Sequence, residues 1–167
     1  MLTQERLKEL LHYDPDTGVF TWIKSHGSLN RRFLNKEAGS INNTGHRRIG
    51  LLGVHYQAHR LVWLYVYGEL PKTDIDHKDQ NGSNNKLSNL RKTTHQENCK
   101  NLSMKSNNKS GFTGVSFDKQ REKWAAYITI SMKKIHLGRF DDISDAIGAR
   151  KAANIKYGFY KNHGAKR

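Results

Sequence analysis

The chain has little or none of several features that mark secreted, disulfide-bonded or membrane proteins. Its one cysteine, Cys99, excludes an internal disulfide and a Cys-x-x-Cys zinc ribbon. The longest apolar run, residues 61–67, is far shorter than the ~20 residues of a membrane-spanning helix. The first residues lack the basic and apolar regions of a signal peptide. We therefore expect an intracellular protein that does not associate with a membrane.

Acidic residues are also scarce. The 167 residues include 29 Lys and Arg but 15 Asp and Glu, which gives a net charge of +14 at pH 7. A compact chain with this excess repels itself unless its usual partner is a polyanion. Residues 99–167 hold 15 of the basic residues and 5 of the acidic ones. The composition therefore indicates a nucleic-acid partner, contacted most strongly by the second part of the chain.

Two small domains are favoured over one large core, because 35% of the residues are hydrophobic. Residues 101–111 are polar and almost free of apolar side chains, which is typical of a linker. We place the boundary near Ser106, which gives domains at residues 1–105 and 106–167.

The first domain has patterns of both helices and strands. Its apolar residues predict a short helix within residues 2–12, a turn at residues 13–18 and a strand at residues 19–22. Residues 47–59 predict a hairpin, and the long apolar run then predicts a buried helix that ends at Gly68.

The second domain is predicted to contain strands at residues 113–117, 123–131 and 134–140. In the middle strand, apolar even-numbered side chains share one face and mostly polar odd-numbered side chains share the other. An alanine-rich helix follows, with Ser144 as its expected N-cap. The pattern predicts a three-stranded antiparallel sheet packed on one helix.

The residues best suited to catalysis are Asp76, His77, Asn89 and Asn98. Hydrolysis of a phosphodiester needs charge neutralisation and a deprotonated water, which a metal ion and an imidazole supply together. A neutral His77 suits the general base, because an imidazole has an unperturbed pKa of ~6.5. The oxygen donors of Asp76 and Asn98 favour Mg²⁺ or Mn²⁺ over zinc. The Asn89 amide is expected to hydrogen-bond backbone across the loop that follows His77.

These residues resemble the HNH nuclease family, and especially the homing endonucleases of phages. The family pattern is Asp-His at the end of a strand, then Asn-Leu-Arg, then a metal ligand on the following helix. Here eleven residues separate His77 from Asn89, and eight separate Asn89 from Asn98. The resemblance covers residues 56–101. The family's third histidine is replaced by Asn98, a departure that also occurs in the homing branch.

The resemblance implies an α+β fold, with a ββα-metal nuclease module and an N-terminal extension. It implies that His77 and Asn89 are catalytic and that Asp76 and Asn98 bind one divalent ion, Mg²⁺ or Mn²⁺. It also implies 5′-phosphate and 3′-hydroxyl ends, in a phage-encoded protein that acts in the cytoplasm of a bacterial host. An Asp-His pair alone is usually a solvated turn, but three elements at this spacing outweigh that alternative.

Several nearby residues are assigned to other roles. His95 is expected to be an exposed helix histidine, with a metal ligand or a phosphate contact as alternatives. His59 is expected to be a scaffold residue bonded to backbone. Trp63 and Tyr65 are assigned to the core, and Cys99 to a small buried position.

The second domain resembles the DNA-binding domain of plant ethylene-response factors, of the APETALA type. The resemblance runs over residues 108–160 and rests on Gly114-Val115, on the strand that contains Trp124, and on residues 137–141. It implies that the sheet lies in the major groove of DNA and that the helix packs behind it. An ordinary solvated basic face is the alternative. The expected DNA contacts are Lys119, Arg121, Lys123, Tyr127, Thr129, Lys134 and His136.

The sequence as a whole predicts a site-targeted HNH endonuclease that hydrolyses phosphodiester bonds in double-stranded DNA, by nicking or by cutting both strands. We expect a monomer in preference to a dimer, without a small-molecule cofactor. One alternative is a non-enzymatic DNA-binding regulator with a degenerate nuclease module, against which the intact Asp76, His77 and Asn98 argue. The other is a non-specific degradative nuclease, which would not need a separate DNA-reading sheet.

Overall fold

The structure, a computed structural model, describes residues 2–24 and 33–165. The chain divides into two compact units, Met1–His95 and Gln96–Arg167. Both units combine helices with antiparallel strands, so the predicted α+β class is confirmed. Within the described ranges, none of the helices has the length and apolar character needed to cross a membrane.

The first unit consists of short antiparallel strand pairs and helices. The bounds in chain order are α1 (Gln4–Leu10), β1 (Leu11–Asp14), β2 (Val19–Trp22), β3 (Ser40–Ile41), β4 (Arg47–Leu51), β5 (Val54–Gln57), α2 (Ala58–Tyr67), β6 (Asp74–His77) and β7 (Leu90–Thr93). Strand β1 pairs with β2, β4 pairs with both β3 and β5, and β6 pairs with β7. The hairpin predicted at residues 47–59 is therefore present as β4 and β5, and the chain passes from it directly into α2.

Helix α2 supplies the centre of the core of the first unit. Leu61 and Val62 are fully buried, Trp63 is nearly so, and Tyr65 packs against them, as the sequence predicted for both aromatic residues. The helix ends at Gly68, which has a φ of 81°. Glycine adopts this left-handed conformation without steric cost, so the predicted end of the helix is confirmed.

The N-terminal helix is shorter than predicted, because its last residues and the first two residues of the expected turn, Tyr13 and Asp14, form strand β1. The rest of the turn is present at residues 15–18. Leu11 and Tyr13 are buried whereas His12 between them is exposed, which is the two-residue period of a strand. Tyr13 pairs with Phe20 across the hairpin, and their ring centroids are 4.9 Å apart. Pairing with β2 therefore overrides the helical preference of this short segment.

The second unit contains an antiparallel sheet and a helix. Its elements are β8 (Val115–Asp118), β9 (Lys123–Ile130), β10 (Lys133–Phe140) and α4 (Ile143–Lys156), and α3 (His95–Cys99) crosses the division between the units. Strand β9 lies between β8 and β10. Val115 and Ala126 on one face of the sheet pack against Ala146 of α4. The N-cap of α4 is Asp142, whose carboxylate accepts from the Ser144 amide at 2.6 Å, so the prediction of Ser144 as the cap is wrong by two residues.

The segment predicted as a linker is instead hydrogen-bonded to residues 157–165 within the second unit. The amide of Gly164 donates to the carbonyl of Leu102 at 2.8 Å, and the amide of Met104 donates to the carbonyl of Ala165 at 3.0 Å. The two compact units divide after His95, and the domain boundary near Ser106 stays a prediction. These bonds are made by backbone atoms, which a polar side-chain composition does not reveal.

Candidate active site

Strand β6 ends at the two residues that the sequence assigns to chemistry, Asp76 and His77. Across the pair with β7, Asp76 faces Arg91 and His77 faces Leu90. Asp76 is 7% exposed and His77 is 5% exposed. Polar groups that are buried to this extent need specific partners, because water is not there to solvate them.

One partner of the Asp76 carboxylate is the Arg91 guanidinium. The Nε and Nη2 atoms of Arg91 both donate to Oδ2 of Asp76, at 2.9 Å and 2.5 Å. The arginine thus compensates a negative charge that would otherwise be costly to bury. The sequence pattern includes Arg91 in its Asn-Leu-Arg element but gives no indication of this ion pair.

The His77 ring is held by a buried amide. Its Nε2 lies 3.2 Å from Oδ1 of Asn85, which is 1% exposed. Burial lowers the pKa of His77 from the ordinary value of 6.5, while the hydrogen bond to Asn85 acts in the opposite direction. Burial therefore favours the neutral ring, the form that a general base requires.

Two further histidines, His46 and His59, pack edge to face against His77. The ring centroid of His77 lies 5.1 Å from that of His59 and 5.6 Å from that of His46. Nδ1 of His59 is buried and has no hydrogen-bond partner in the described part of the chain, so the backbone bond expected for His59 is absent at that atom. Burial is also the main reason why the pKa of His59 falls to about 3. His46 lies between β3 and β4 and was missed, because no sequence spacing relates it to His77.

The loop between β6 and β7 is closed by Asn89. The Asn89 side-chain amide donates to Oδ1 of Asp79 at 2.9 Å and to the carbonyl of Asn84 at 2.8 Å, and its Oδ1 accepts from the Asp79 amide at 3.2 Å. The bonds across the loop that the sequence led us to expect are present. The part of Asn89 in catalysis stays a prediction.

Helix α3 carries three more residues considered in the sequence. His95 is exposed, as expected, and its Nδ1 lies 3.3 Å from Oδ2 of Asp74. Asn98 is partly buried on α3, beyond the division between the units, and its role as a metal ligand stays a prediction. Cys99 is exposed, so its assignment to the interior is wrong. The reason is that this short helix buries none of its residues.

The residues predicted to hold a metal ion supply oxygen donors. Among the residues that the structure describes, no group of three or more His, Cys, Asp or Glu is suited to hold a metal ion. Mg²⁺ commonly uses one or two carboxylates and takes its other ligands from water and substrate phosphates. One buried carboxylate at the end of a strand, that of Asp76, fits such an ion and does not fit zinc, which prefers nitrogen and sulfur.

In the second unit, most residues predicted to contact DNA lie on the sheet face away from α4. Tyr127 pairs with His136 and Thr129 pairs with Lys134, and all except the partly buried Tyr127 are exposed. Nζ of Lys134 lies 3.9 Å from the centroid of the Tyr127 ring, a cation–π contact. These four residues form one surface, which we call the sheet face.

The other predicted contacts lie at the edge of the sheet face, around the turn into β9. Lys119 and Arg121 are exposed in that turn. Arg121 is 3.4 Å from a carboxylate oxygen of Asp118, and Nζ of Lys123 is 2.7 Å from a carboxylate oxygen of Asp141. Two of these three cations are therefore partly neutralised within the unit.

A further cation on the sheet face, Arg139, was missed in the sequence. A bulge between His136 and Gly138 shifts the register, so that Arg139 pairs with Ala125 and joins the exposed face. Without the bulge, side chains that alternate from Lys134 onward would place Arg139 on the sheet face that packs against α4. Gly138, with a φ of 141°, was the available signal, because a glycine inside a strand often marks a bulge.

Comparison with known proteins gives three similarities. Residues 56–100 match the family model of HNH endonucleases, so the chain carries an HNH-type module. Protein 3.8 of Escherichia phage T7 is 37% identical over 90 residues, which are 53% of this chain and 74% of that protein; the chain belongs to the same family. A solved structure described as DNA binding and cleavage by the HNH homing endonuclease I-HmuI aligns with 91% of this chain and 88% of its own, at 22% identity and a TM-score of 0.42.

Proposed function

We propose that the protein is a metal-dependent endonuclease that hydrolyses double-stranded DNA. The main support is the position of His77, buried at the end of β6 beside the buried carboxylate of Asp76, within the segment that matches HNH endonucleases. An imidazole and a carboxylate at one strand end are the two groups that phosphodiester hydrolysis needs from a protein of this kind.

In the proposed reaction, His77 takes a proton from the water that attacks phosphorus. The neighbouring histidine rings and the hydrogen bond to Asn85 restrict the motion of its ring. Asn89 acts by holding the loop that carries Asn85, through its bonds to Asp79 and Asn84. Positioning of this kind lowers the barrier, because the base does not have to be ordered at the moment of reaction.

Asp76 and Asn98 are proposed to hold one Mg²⁺ or Mn²⁺. When bound, such an ion neutralises the negative charge that develops on the phosphate. Asp76 would serve as its anionic ligand while Arg91 compensates the remaining buried charge. Asn98 would add a neutral oxygen ligand.

We further propose that the sheet face of the second unit reads duplex DNA in the major groove and targets cleavage to chosen sites. The exposed basic side chains of this face, Lys134 and Arg139, and the surplus of Lys and Arg after residue 98 support this. Phosphate contacts would supply affinity, and contacts of Tyr127, Thr129 and His136 with base edges would supply selectivity. We expect the protein to act as a monomer in the cytoplasm of a bacterial host.

Cleavage of phage and host genomic DNA tests the proposal. With Mg²⁺ present, we expect a limited set of cuts, and mapping of the ends should give 5′-phosphates and 3′-hydroxyls. Binding without cleavage would favour the DNA-binding regulator. Equal cleavage of all duplexes would favour the degradative nuclease.

A further inference from the structure

The orientation of the Asn85 amide is determined by its neighbours. Nδ2 of Asn85 lies 3.1 Å from the carbonyl oxygen of Ser83, which can only accept a hydrogen bond. The atom that faces Ser83 must therefore be the NH₂ group. It follows that the atom 3.2 Å from Nε2 of His77 is the amide oxygen, an acceptor.

An acceptor opposite Nε2 requires that Nε2 carries the proton. A neutral imidazole has one N–H and one lone pair, so the lone pair of His77 is then on Nδ1. We propose that Asn85 is a positioning residue that holds His77 in its Nε2-protonated tautomer, so that Nδ1 is the atom that accepts the proton of the attacking water. The role of Nδ1 as proton acceptor rests on the proposed function, whereas the assignment of the tautomer does not.

Asn85 is itself held rigidly by the N-terminal hairpin. The hydroxyl of Tyr13, on β1, donates to the Asn85 carbonyl at 2.8 Å in the buried interior. Gly18, in the turn between β1 and β2, lies so close to the backbone of Asn85 and Lys86 that an added Cβ would be 2.4 Å from the Lys86 nitrogen. The backbone of Asn85 is thus fixed from one side, and its amide is oriented by Ser83 from the other.

A positioning role of this kind has a defined effect on catalysis. In the other tautomer an N–H group would replace the lone pair on Nδ1, and proton acceptance would have to await a tautomeric exchange. Loss of an outer residue that orients a functional histidine typically costs about 10- to 100-fold in activity. Because Asn85 is buried, we expect its loss to lower kcat and to leave the affinity for DNA unchanged.

The tautomer can be measured directly from long-range ¹H–¹⁵N correlations of the His77 ring in the full-length protein at about pH 8. We expect the wild type to show the pattern of an Nε2–H ring. Asn85→Leu, which has a similar volume and no acceptor, should give a mixture or the Nδ1–H form. Asn85→Asp loses the donor to the Ser83 carbonyl but keeps an acceptor toward Nε2 of His77, so it should retain the Nε2–H pattern and should recover part of kcat relative to Asn85→Leu.

The outcomes separate this inference from the proposed function. An Nδ1–H ring in the wild type overturns the inference, as does a pure Nε2–H pattern in a folded Asn85→Leu variant. If Asn85→Leu does not fold, the spectra of the wild type and of Asn85→Asp decide the matter. If the wild type has the expected tautomer but does not cut DNA with any divalent metal, the proposed function fails and the assignment of the tautomer stands.

Discussion

Asp76 and Arg91 face each other across β6 and β7 and form a largely buried ion pair. The side chain of Asp76 is 8% exposed and that of Arg91 is 25% exposed. Both donors of the guanidinium converge on Oδ2, which places the arginine charge beside one carboxylate oxygen. The charge of the proposed metal ligand, Asp76, is therefore already compensated by Arg91, and the first unit does not depend on a metal ion to bury this carboxylate.

Removal of Arg91 should destabilise the first unit. In Arg91→Met the Asp76 carboxylate stays buried without this ion pair, which should lower the free energy of unfolding by up to about 3–5 kcal/mol. Combining Arg91→Met with Asp76→Asn should recover part of this loss. Urea unfolding gives the measurement. The matched control is Lys92→Met, which breaks an exposed contact of 3.9 Å with Glu69 and should cost under about 1 kcal/mol; equal losses in the two variants would contradict the argument.

Loss of the general base should affect the chemical step. His77→Ala should lower the rate of cleavage by roughly 10²- to 10⁴-fold while DNA binding stays near that of the wild type. Single-turnover cleavage and a binding titration measure the two quantities. His55→Ala, which changes an exposed histidine of β5, is the control and should cut normally. Cleavage by His77→Ala at the rate of the wild type would remove His77 from the mechanism.

Metal dependence should distinguish the two proposed ligands. A chelator should abolish cleavage by the wild type, and Asp76→Ala and Asn98→Ala should each raise the concentration of Mg²⁺ or Mn²⁺ needed for half-maximal activity. Excess metal should rescue Asn98→Ala better than Asp76→Ala, because a neutral ligand contributes less attraction. Undiminished cleavage in the presence of the chelator would end the single-metal scheme.

DNA binding should depend on the sheet face. Lys134→Ala should reduce affinity for every duplex. The slope of log affinity against log salt concentration should fall by about one, because one phosphate contact is lost. Tyr127→Ala should alter the preference among sites more than the non-specific affinity. Because the Lys134 ammonium lies over the Tyr127 ring, the double variant should not be additive. Lys151→Ala, on α4, is the control; an equal effect there would show that total charge, and not this face, sets the affinity.

The second unit should lose stability as the pH falls from about 6.5 to about 4. Burial lowers the pKa of His163 to about 4 in the folded chain, and the charge of Arg150, whose Nη2 lies 3.2 Å from the ring, acts in the same direction. The unfolded chain takes up the proton first, so acid favours unfolding across this window. His163→Gln should flatten the loss. Identical pH profiles of urea unfolding for the two proteins would exclude His163 as a cause.

Local patterns in the sequence predicted those parts of the fold that depend on neighbouring residues. The helix that ends at Gly68 and the hairpin at residues 47–59 follow from apolar runs and glycine positions. The two-residue period of Leu11 and Tyr13 is too short to be distinguished from the end of a helix. The contact between Tyr13 and Asn85 joins residues 72 positions apart, and no local pattern encodes it.

For the candidate site, too, the sequence predicted residues of one continuous segment but not the contacts that distant residues make with them. The family resemblance, carried by the spacing of three short motifs, predicted Asp76, His77 and Asn89 as parts of one site, and they lie on one strand pair and its loop. His46 and Asn85 escaped attention, because each contacts His77 through side-chain packing that appears only after the chain has folded. Arg139 was missed, because a single bulge reverses the alternation of side chains beyond it.

The bond from Tyr13 to the Asn85 carbonyl has a consequence for gene engineering. The portion that resembles other endonucleases begins at residue 56, yet the loop that orients His77 is anchored by a hairpin that lies well before that residue. We therefore do not expect residues 56–100 to keep the geometry of the site when they are transferred alone to another protein. A chimaera that contains these residues without β1 and β2 would keep the motif but would lose the contact with Tyr13 that fixes Asn85, and with it the orientation of the His77 ring.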